Sequence, residues 1–267
     1  PVLERLVPHI DPLATFSVHP TRVIFSGNEM RYFYLSRDLL VRRFRPDFIV
    51  VENGAGAFVY TQFLLYRHLF APRAKVVFFT WWNLPYESRQ PLRALEQFNL
   101  RHSDGAIAGN HDARDIIRHH GYRGPMIVLP QLGVDEKVFA PRDESELRRT
   151  LGLGRFVIGY AGRLVKEKGL RVLMAALDGF KGEFDWLVIG RGPLESEIRK
   201  WGATLAGGQR VHLHPSVPHS DIAVLMNAMD VLVLPSLTTS FWKEQFGHVL
   251  IEAMSCQVAV VGSNSGE

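Results

Sequence analysis

The sequence predicts an α/β protein made of two Rossmann-like, doubly wound domains facing each other across a cleft, and three observations carry that expectation. Strand-like and helix-like segments alternate almost throughout, which is the rhythm of βαβ units. The rhythm breaks once, at an irregular connection over residues 133–142, with Pro130 before it and Pro141 near its end. The 267 residues are 46% hydrophobic, enough to bury a large core and to build two domains of ordinary size. The boundary is therefore expected between a first domain over residues 1–140 and a second over 141–267.

Taken in order, residues 22–26, 47–52 and 75–79 have the branched and aromatic runs of strands, and 32–44, 57–70 and 91–102 are the helices expected between them. Short strands at 105–108 and 126–129 continue the series, with His119 and His120 closing a basic helix between them, where cations favour the negative end. The second series predicts strands at 156–161, 185–189, 210–213, 231–234 and 258–261, and helices at 169–180, 194–205, 219–228 and 248–255. The run Val231-Leu232-Val233-Leu234, bounded by Asp230 and Pro235, is typical of a buried strand.

Composition excludes several classes. No apolar run approaches the roughly 18 residues of a membrane span and no basic-then-apolar leader opens the sequence, so the expected location is cytoplasmic, with a peripheral place on the inner membrane face as the second option. One cysteine, Cys256, makes no intrachain disulfide and is expected to be a buried, inert thiol. The net charge of +4 sits in the first half: residues 1–140 hold 17 basic and 13 acidic side chains, the remainder 14 of each. Arg37, Arg42, Arg43 and Arg45 cluster there. Asp38 and Asp47 interleave, so a solvated helix face is favoured over contact with an anionic membrane. The aromatics fall inside apolar runs and do not form a base-stacking platform, so no nucleic-acid partner is expected.

The most informative stretch follows the strand at 231–234. A polar loop ends at Gly247, which opens an apolar helix, and two carboxylates, Glu244 and Glu252, bracket that opening. In open α/β sheets ligands bind beyond the carboxyl ends of strands, where a helix N-terminus also offers N–H groups to an anion. An ionised carboxylate only accepts hydrogen bonds, which suits a hydroxyl-rich group. Upstream, Gly159-Tyr160-Ala161-Gly162-Arg163 leaves a strand and runs through Lys168-Gly169 into a helix, so Arg163 and Lys168 emerge at the same edge. Arg supplies a planar fork of donors and Lys a compact charge, a combination suited to a diphosphate. Gly190-Arg191-Gly192-Pro193 repeats the strand-end design.

Gly162-Arg163 with Lys168-Gly169, then Gly190-x-Gly192-Pro193, Glu244-x-Phe246-Gly247 with Ile251-Glu252-Ala253-Met254, and Gly262-Ser263-x-x-Gly266-Glu267 together resemble the family-4 retaining glycosyltransferases of GT-B fold, the group 1 glycosyl transferases. The resemblance covers residues 156–267 in order and spacing. It implies transfer of a sugar from a UDP-, GDP- or ADP-sugar to a glycan, lipid or small-molecule acceptor. By the same resemblance, Arg163 and Lys168 hold the diphosphate and Glu244 the donor sugar, the three forming the catalytic set. Gly162, Gly190, Phe246, Gly247, His248 and Val249 line the donor site, and Glu252 takes the ribose hydroxyls. On the acceptor side the match is looser and points to Asn83, Trp82 and Glu52. Thr80-Trp81-Trp82-Asn83 lacks the histidine that many members carry near the reacting centre. Against the family pattern the first domain is expected to be incomplete at its start and the second at its end.

Competing chemistries find less support. There is no Gly-x-Gly-x-x-Gly turn for a dinucleotide cofactor and no Asp-x-Asp for a metal-held diphosphate, so neither a cofactor nor a metal is expected. His212 and His214 share a strand face but lack a nearby third ligand, which favours a structural role. A nucleotide-sugar epimerase on the same scaffold and a non-catalytic sugar-nucleotide-binding protein are the alternatives.

Overall fold

The computed structural model describes residues 16–25, 27–28, 30–35 and 39–266. Arg37 and Asp38 of the basic cluster and Glu267 of the last motif lie outside them. The chain divides into two compact units. One comprises the described residues of Pro1–Thr80 with Ser88–Ala106 and Gly121–Pro125, and the other Trp81–Glu87, Ile107–His120 and Met126–Glu267.

The first part of the chain contains β1 (Val23–Ile24), β2 (Phe33–Tyr34), α1 (Leu39–Phe44), β3 (Phe48–Val51), α2 (Phe58–Phe70), β4 (Lys75–Thr80), α3 (Leu92–His102), β5 (Gly105–Ala108), α4 (His111–His119) and β6 (Met126–Val128). Strands β3 to β6 form a sheet in that spatial order, with β3 and β4 parallel. Helices α2 and α3 are fastened by the buried Asn99, whose Nδ2 donates to Ala55 O at 2.6 Å and whose Oδ1 accepts from Thr61 at 2.9 Å.

The expected helix over 32–44 is a correction. Its residues Phe33 and Tyr34 form β2, which pairs antiparallel with β1, and among the described residues helix runs over Leu39–Phe44. Side-chain and turn chemistry outweigh helical periodicity here. Asn28 Oδ1 accepts from Met30 N at 2.9 Å in the turn, a local alternative to helix. Gln62 of α2 then satisfies the outer edge of β2, accepting from Tyr34 N at 2.9 Å and donating to Tyr34 O at 2.8 Å.

The second series is close to expectation: α5 (Ser145–Leu151), β7 (Phe156–Ala161), a 3-10 turn (Lys166–Lys168), α6 (Leu170–Asp178), β8 (Phe184–Ile189), α7 (Glu195–Gly202), β9 (Arg210–His214), α8 (His219–Asn227), β10 (Val231–Leu234), α9 (His248–Ser255) and β11 (Ala259–Gly262). Helix α5 was not expected. Its only apolar signal is Leu147 and Leu151, one turn apart and partly buried against the core, too short a stripe to mark a helix in sequence.

These strands form an all-parallel sheet in the order β11-β10-β7-β8-β9. All six residues of β8 are buried, as a central parallel strand covered on both faces requires. Alternate residues feed two cores. Val157, Leu187 and Ile189 pack with α8 and α9, and Ile158, Tyr160, Trp186 and Val188 pack with α6 and α7. The buried Asp185 ties the sheet to the loop before β7, accepting from Gly154 N and Arg155 N at 2.9 Å each and from His212 Nε2 at 2.9 Å. Burial acts to raise its carboxyl pKa, but His212 and the two backbone donors outweigh it and hold the group below the usual carboxylate range.

Because the chain runs from β7 outward to β8 and β9, then returns to the other side of β7 for β10 and β11, the strand order reverses between β7 and β10. Such a reversal opens a crevice beyond the carboxyl ends of the two strands, the place where open α/β sheets bind ligands.

Candidate functional site

Two loops enter that crevice. The one after β7 turns at Gly162, passes Arg163 and the 3-10 turn, and reaches α6 through Gly169, which has φ +69°. A β-carbon on Gly169 would run into the carbonyl of Pro235, so only glycine lets this loop lie against the end of β10. The other loop begins at Pro235. Leu237 N–H donates to Glu167 O at 2.8 Å, binding the two loops together, and a Thr239–Trp242 turn returns the chain toward α9, with Thr239 N–H donating to Trp242 O at 2.8 Å.

The loops bring Lys168 and Glu244 into contact. Lys168 Nζ donates to Glu244 Oε2 at 2.6 Å, with both side chains more than four-fifths buried. Ser236 Oγ donates to the same oxygen at 2.7 Å, and the ammonium lies 5.1 Å from the Trp242 ring centroid, a cation–π contact. Asn83 Nδ2 donates to Glu244 O at 2.7 Å. A cavity of about 270 Å³ opens here, lined by Asn83, Trp82, Arg163, Lys168, Trp242 and Glu244 among others. Arg163 is exposed at its edge, its carbonyl accepting from Tyr160 OH at 2.7 Å. Burial first, and then the negative charge of Glu244, push the Tyr160 phenol pKa above its ordinary value, so the hydroxyl stays a donor.

Gly162 and Gly190 border a second cavity of about 240 Å³ with Ala161, Arg191, Ser216 and Val217, beyond the ends of β7, β8 and β9. Gly247 caps α9 in the left-handed conformation, and a small cavity at this end of the helix is lined by Glu244, Gly247 and Ser263. First-turn amides have no intrahelical partner, so His248 and Val249 offer theirs through the backbone. The Val249 side chain instead packs against both cores. Phe246 lies 5.8 Å from the Trp81 ring.

Glu252 is 4% exposed, one turn into α9. Its Oε1 accepts from His219 Nε2 at 2.6 Å and lies 3.5 Å from His248 Nδ1. Trp82 is half exposed and meets Tyr86 edge to face at 6.2 Å. Glu52 is exposed, just past β3 in the first unit, and is not among the residues gathered here. Cys256 is buried at the end of α9, and burial pushes its thiol pKa up.

Sequence reasoning passed over Ser236, Trp242, Asn110 and His219 as site residues. Trp242 belongs to the stretch already singled out and Ser236 immediately precedes it, but nothing in their spacing shows which way they point. Asn110, in addition to capping α4 through Ala113 N, donates to Gln245 O at 3.4 Å. Asp112 pairs with Lys243 across 131 positions of sequence. His212 and His214 are engaged structurally, the first by Asp185 and the second by Pro215 O at 2.9 Å.

Comparison with known proteins supports the α/β fold that the motifs' resemblance implies. Residues 143–267 match the family model Glycosyl transferases group 1. A D-inositol 3-phosphate glycosyltransferase of Mycobacterium bovis (strain BCG / Pasteur 1173P2) is 30% identical over 186 residues, 66% of this chain and 37% of the relative. The chain thus spans little more than a third of the length of the curated relatives it matches. Among solved structures, the Anabaena protein HepE in complex with UDP shares the fold with a TM-score of 0.66 at 23% identity, over 82% of this chain and 60% of that one. Sucrose-phosphate synthase from Thermosynechococcus elongatus does so with a TM-score of 0.60 at 23% identity, over 82% and 56% respectively. The expected α/β fold with parallel sheets is therefore the observed one. Among the described residues no helix is long and apolar enough to cross a membrane.

Proposed function

We propose that the protein works as a retaining, family-4 glycosyltransferase that moves a sugar from a nucleotide-diphosphate sugar to an acceptor hydroxyl, with the donor held by residues 141–267 and the acceptor by residues 1–140. The observation that carries this reading is the Lys168–Glu244 pair, buried at the strand reversal beside Arg163. A carboxylate and a cation held 2.6 Å apart can divide the donor between them. Glu244 accepts from sugar hydroxyls, while Lys168 and Arg163 face the phosphates. Transfer builds negative charge on the leaving diphosphate, and fixed cations with helix amides stabilise it without reorganising in the transition state. The α9 amides of His248 and Val249 add to this.

The nucleoside then lies toward the cavity beside Gly162 and Gly190, with its ribose hydroxyls on Glu252. Asn83 and Trp82 are the acceptor-side groups. No histidine stands at Thr80–Asn83; in line with the retaining mechanism that the family resemblance implies, the departing diphosphate itself helps remove the acceptor's proton on the attacked face. The diphosphate is bound by side-chain and backbone donors, without a metal. UDP is the first nucleotide to try, since HepE is recorded in complex with UDP and with UDP-glucose. No second cofactor is required, and the reaction is assigned to the cytoplasmic compartment.

A panel of UDP-, GDP- and ADP-sugars incubated with the protein tests the reading. Slow release of nucleotide, faster with an acceptor and persisting in chelator, is the expected result. Isomerised donor would instead identify an epimerase, and binding without turnover a sugar-nucleotide-binding protein. Complete loss of activity in chelator, restored by Mg or Mn, would overturn the metal-free diphosphate site.

A further inference from the structure

We infer that His219, His248 and Glu252 form a binding site for a zinc-class divalent cation. One ligand atom from each of the three lies within 4.8 Å of the other two, and these atoms are two imidazole nitrogens and one carboxylate oxygen, the donor set that zinc takes. The tautomer of His248 is fixed by its surroundings. Its Nε2 lies 2.7 Å from Gly133 O, and since a carbonyl can only accept, that nitrogen carries the hydrogen. In the neutral ring Nδ1 then presents a lone pair toward Glu252 Oε1, 3.5 Å away. A cation between them would be held by both atoms. A ligating histidine whose other ring nitrogen donates to a backbone carbonyl is the usual support of a metal ligand.

The distances agree with this. Bonds of about 2.0–2.1 Å in a tetrahedron separate neighbouring ligand atoms by roughly 3.3 Å. The His248–Glu252 separation of 3.5 Å already matches. The His219–Glu252 separation of 2.6 Å is that of a hydrogen bond, and His219, with 63% of its side chain exposed, has room to move back by the remaining fraction of an ångström. It rests against the Phe139 ring at 5.1 Å and stacks with His248 at 6.2 Å, contacts that keep it over the carboxylate. Three protein ligands leave a fourth position for water or an oxygen of a small molecule. The site was not legible in the sequence, because the two histidines stand 29 positions apart.

The site stands on this geometry alone. One consequence rests on the donor reading above: a cation that occupies Glu252 takes that carboxylate from the ribose, so zinc weakens nucleotide binding. The test is a cobalt(II) titration without nucleotide, followed by the visible absorption of tetrahedral cobalt, with zinc displacing it. The wild-type chain should bind one equivalent with that signature. His219→Ala, which alters an exposed side chain, should lose it or bind at least tenfold more weakly, and Glu252→Gln should do likewise, each checked for an unchanged melting temperature without metal. Absence of saturable binding by the wild type, or equal affinity and spectrum in His219→Ala, would overturn the site. A parallel UDP titration with and without zinc keeps the two ideas apart. UDP affinity unmoved by zinc in a protein that binds cobalt as described would remove Glu252 from the ribose and leave the metal site intact.

Discussion

Glu244 and Glu252 stand on either side of one helix start yet have different neighbours, and that difference predicts different defects. Glu252 is proposed to hold ribose, which is present in donor and free nucleotide alike, so Glu252→Ala removes binding common to ground and transition states. Loss of a charged hydrogen-bond partner is worth about 1.5–3 kcal/mol, so donor KM and nucleotide Kd should both rise roughly ten- to a hundredfold with kcat spared. Glu244, paired with Lys168 at 2.6 Å, is proposed to act on the transferred sugar, so Glu244→Ala should collapse kcat with nucleotide affinity nearly unchanged. Calorimetry with UDP beside steady-state kinetics separates the two, and identical profiles would defeat the assignment. Asp185 sets the residue-scale stability test. Its carboxyl pKa is held below the ordinary value, so its stabilisation is present above the unfolded pKa of about 3.9 and is lost as pH falls through the lower folded value. Asp185→Asn should therefore be less stable than wild type by about 1.5–3 kcal/mol at neutral pH, and denaturant midpoints of the two should converge below about pH 4.

At the scale of elements, the entry to α6 is the most constrained joint. Gly169→Ala must adopt φ +69° and displace the Pro235 carbonyl, which is backbone and cannot swing away as a side chain can. Gly152, at the end of α5, has φ +71°, and a β-carbon there would meet only His212 Cε1 at 4.0 Å, an ordinary van der Waals contact, so Gly152→Ala meets mainly the left-handed strain of about 1–2 kcal/mol. The expected order in urea melts is wild type, then Gly152→Ala, then Gly169→Ala, with only the last losing nucleotide affinity. This joint also marks what the sequence could tell. The spacing from Gly162 to Gly169 located the turn, the charges and the helix start, because each is a local property of a few adjacent residues. The pairing of Lys168 with Glu244 was not legible, since it depends on which strand lies beside β7. The early helix over 32–44 failed for a related reason: Gln62, 28 positions from Tyr34, satisfies the strand that local periodicity did not foresee.

Over the whole molecule, the alternation of strands and helices was readable because a parallel sheet covered on both faces demands apolar strands, and β7, β10 and, apart from Asp185, β8 supply them. The strand order was not readable, since periodicity carries no record of neighbours. Charge is a property of this scale too. A diphosphate held by Arg163, Lys168 and helix amides is held by screened attraction, and the Debye length shrinks from about 10 Å at 0.1 M salt to about 3 Å at 1 M. UDP affinity should fall steadily over that range while affinity for the uncharged nucleoside stays level. Equal salt dependence of the two would remove the cations from the diphosphate.

The reversal of strand order between β7 and β10 has a consequence for the time course of folding. Its two loops, around residues 163–168 and 235–247, lie some seventy positions apart in sequence, so the crevice cannot exist until β10 has docked beside β7 and closed that long loop, a slow, non-local step. A ligand added during refolding should find nothing to hold while α6, α7 and their strands are already helical and paired. Recovery of nucleotide binding should therefore lag recovery of far-ultraviolet ellipticity. In a chain emerging from the ribosome, competence arrives only after the loop and helix that follow β10 have been made.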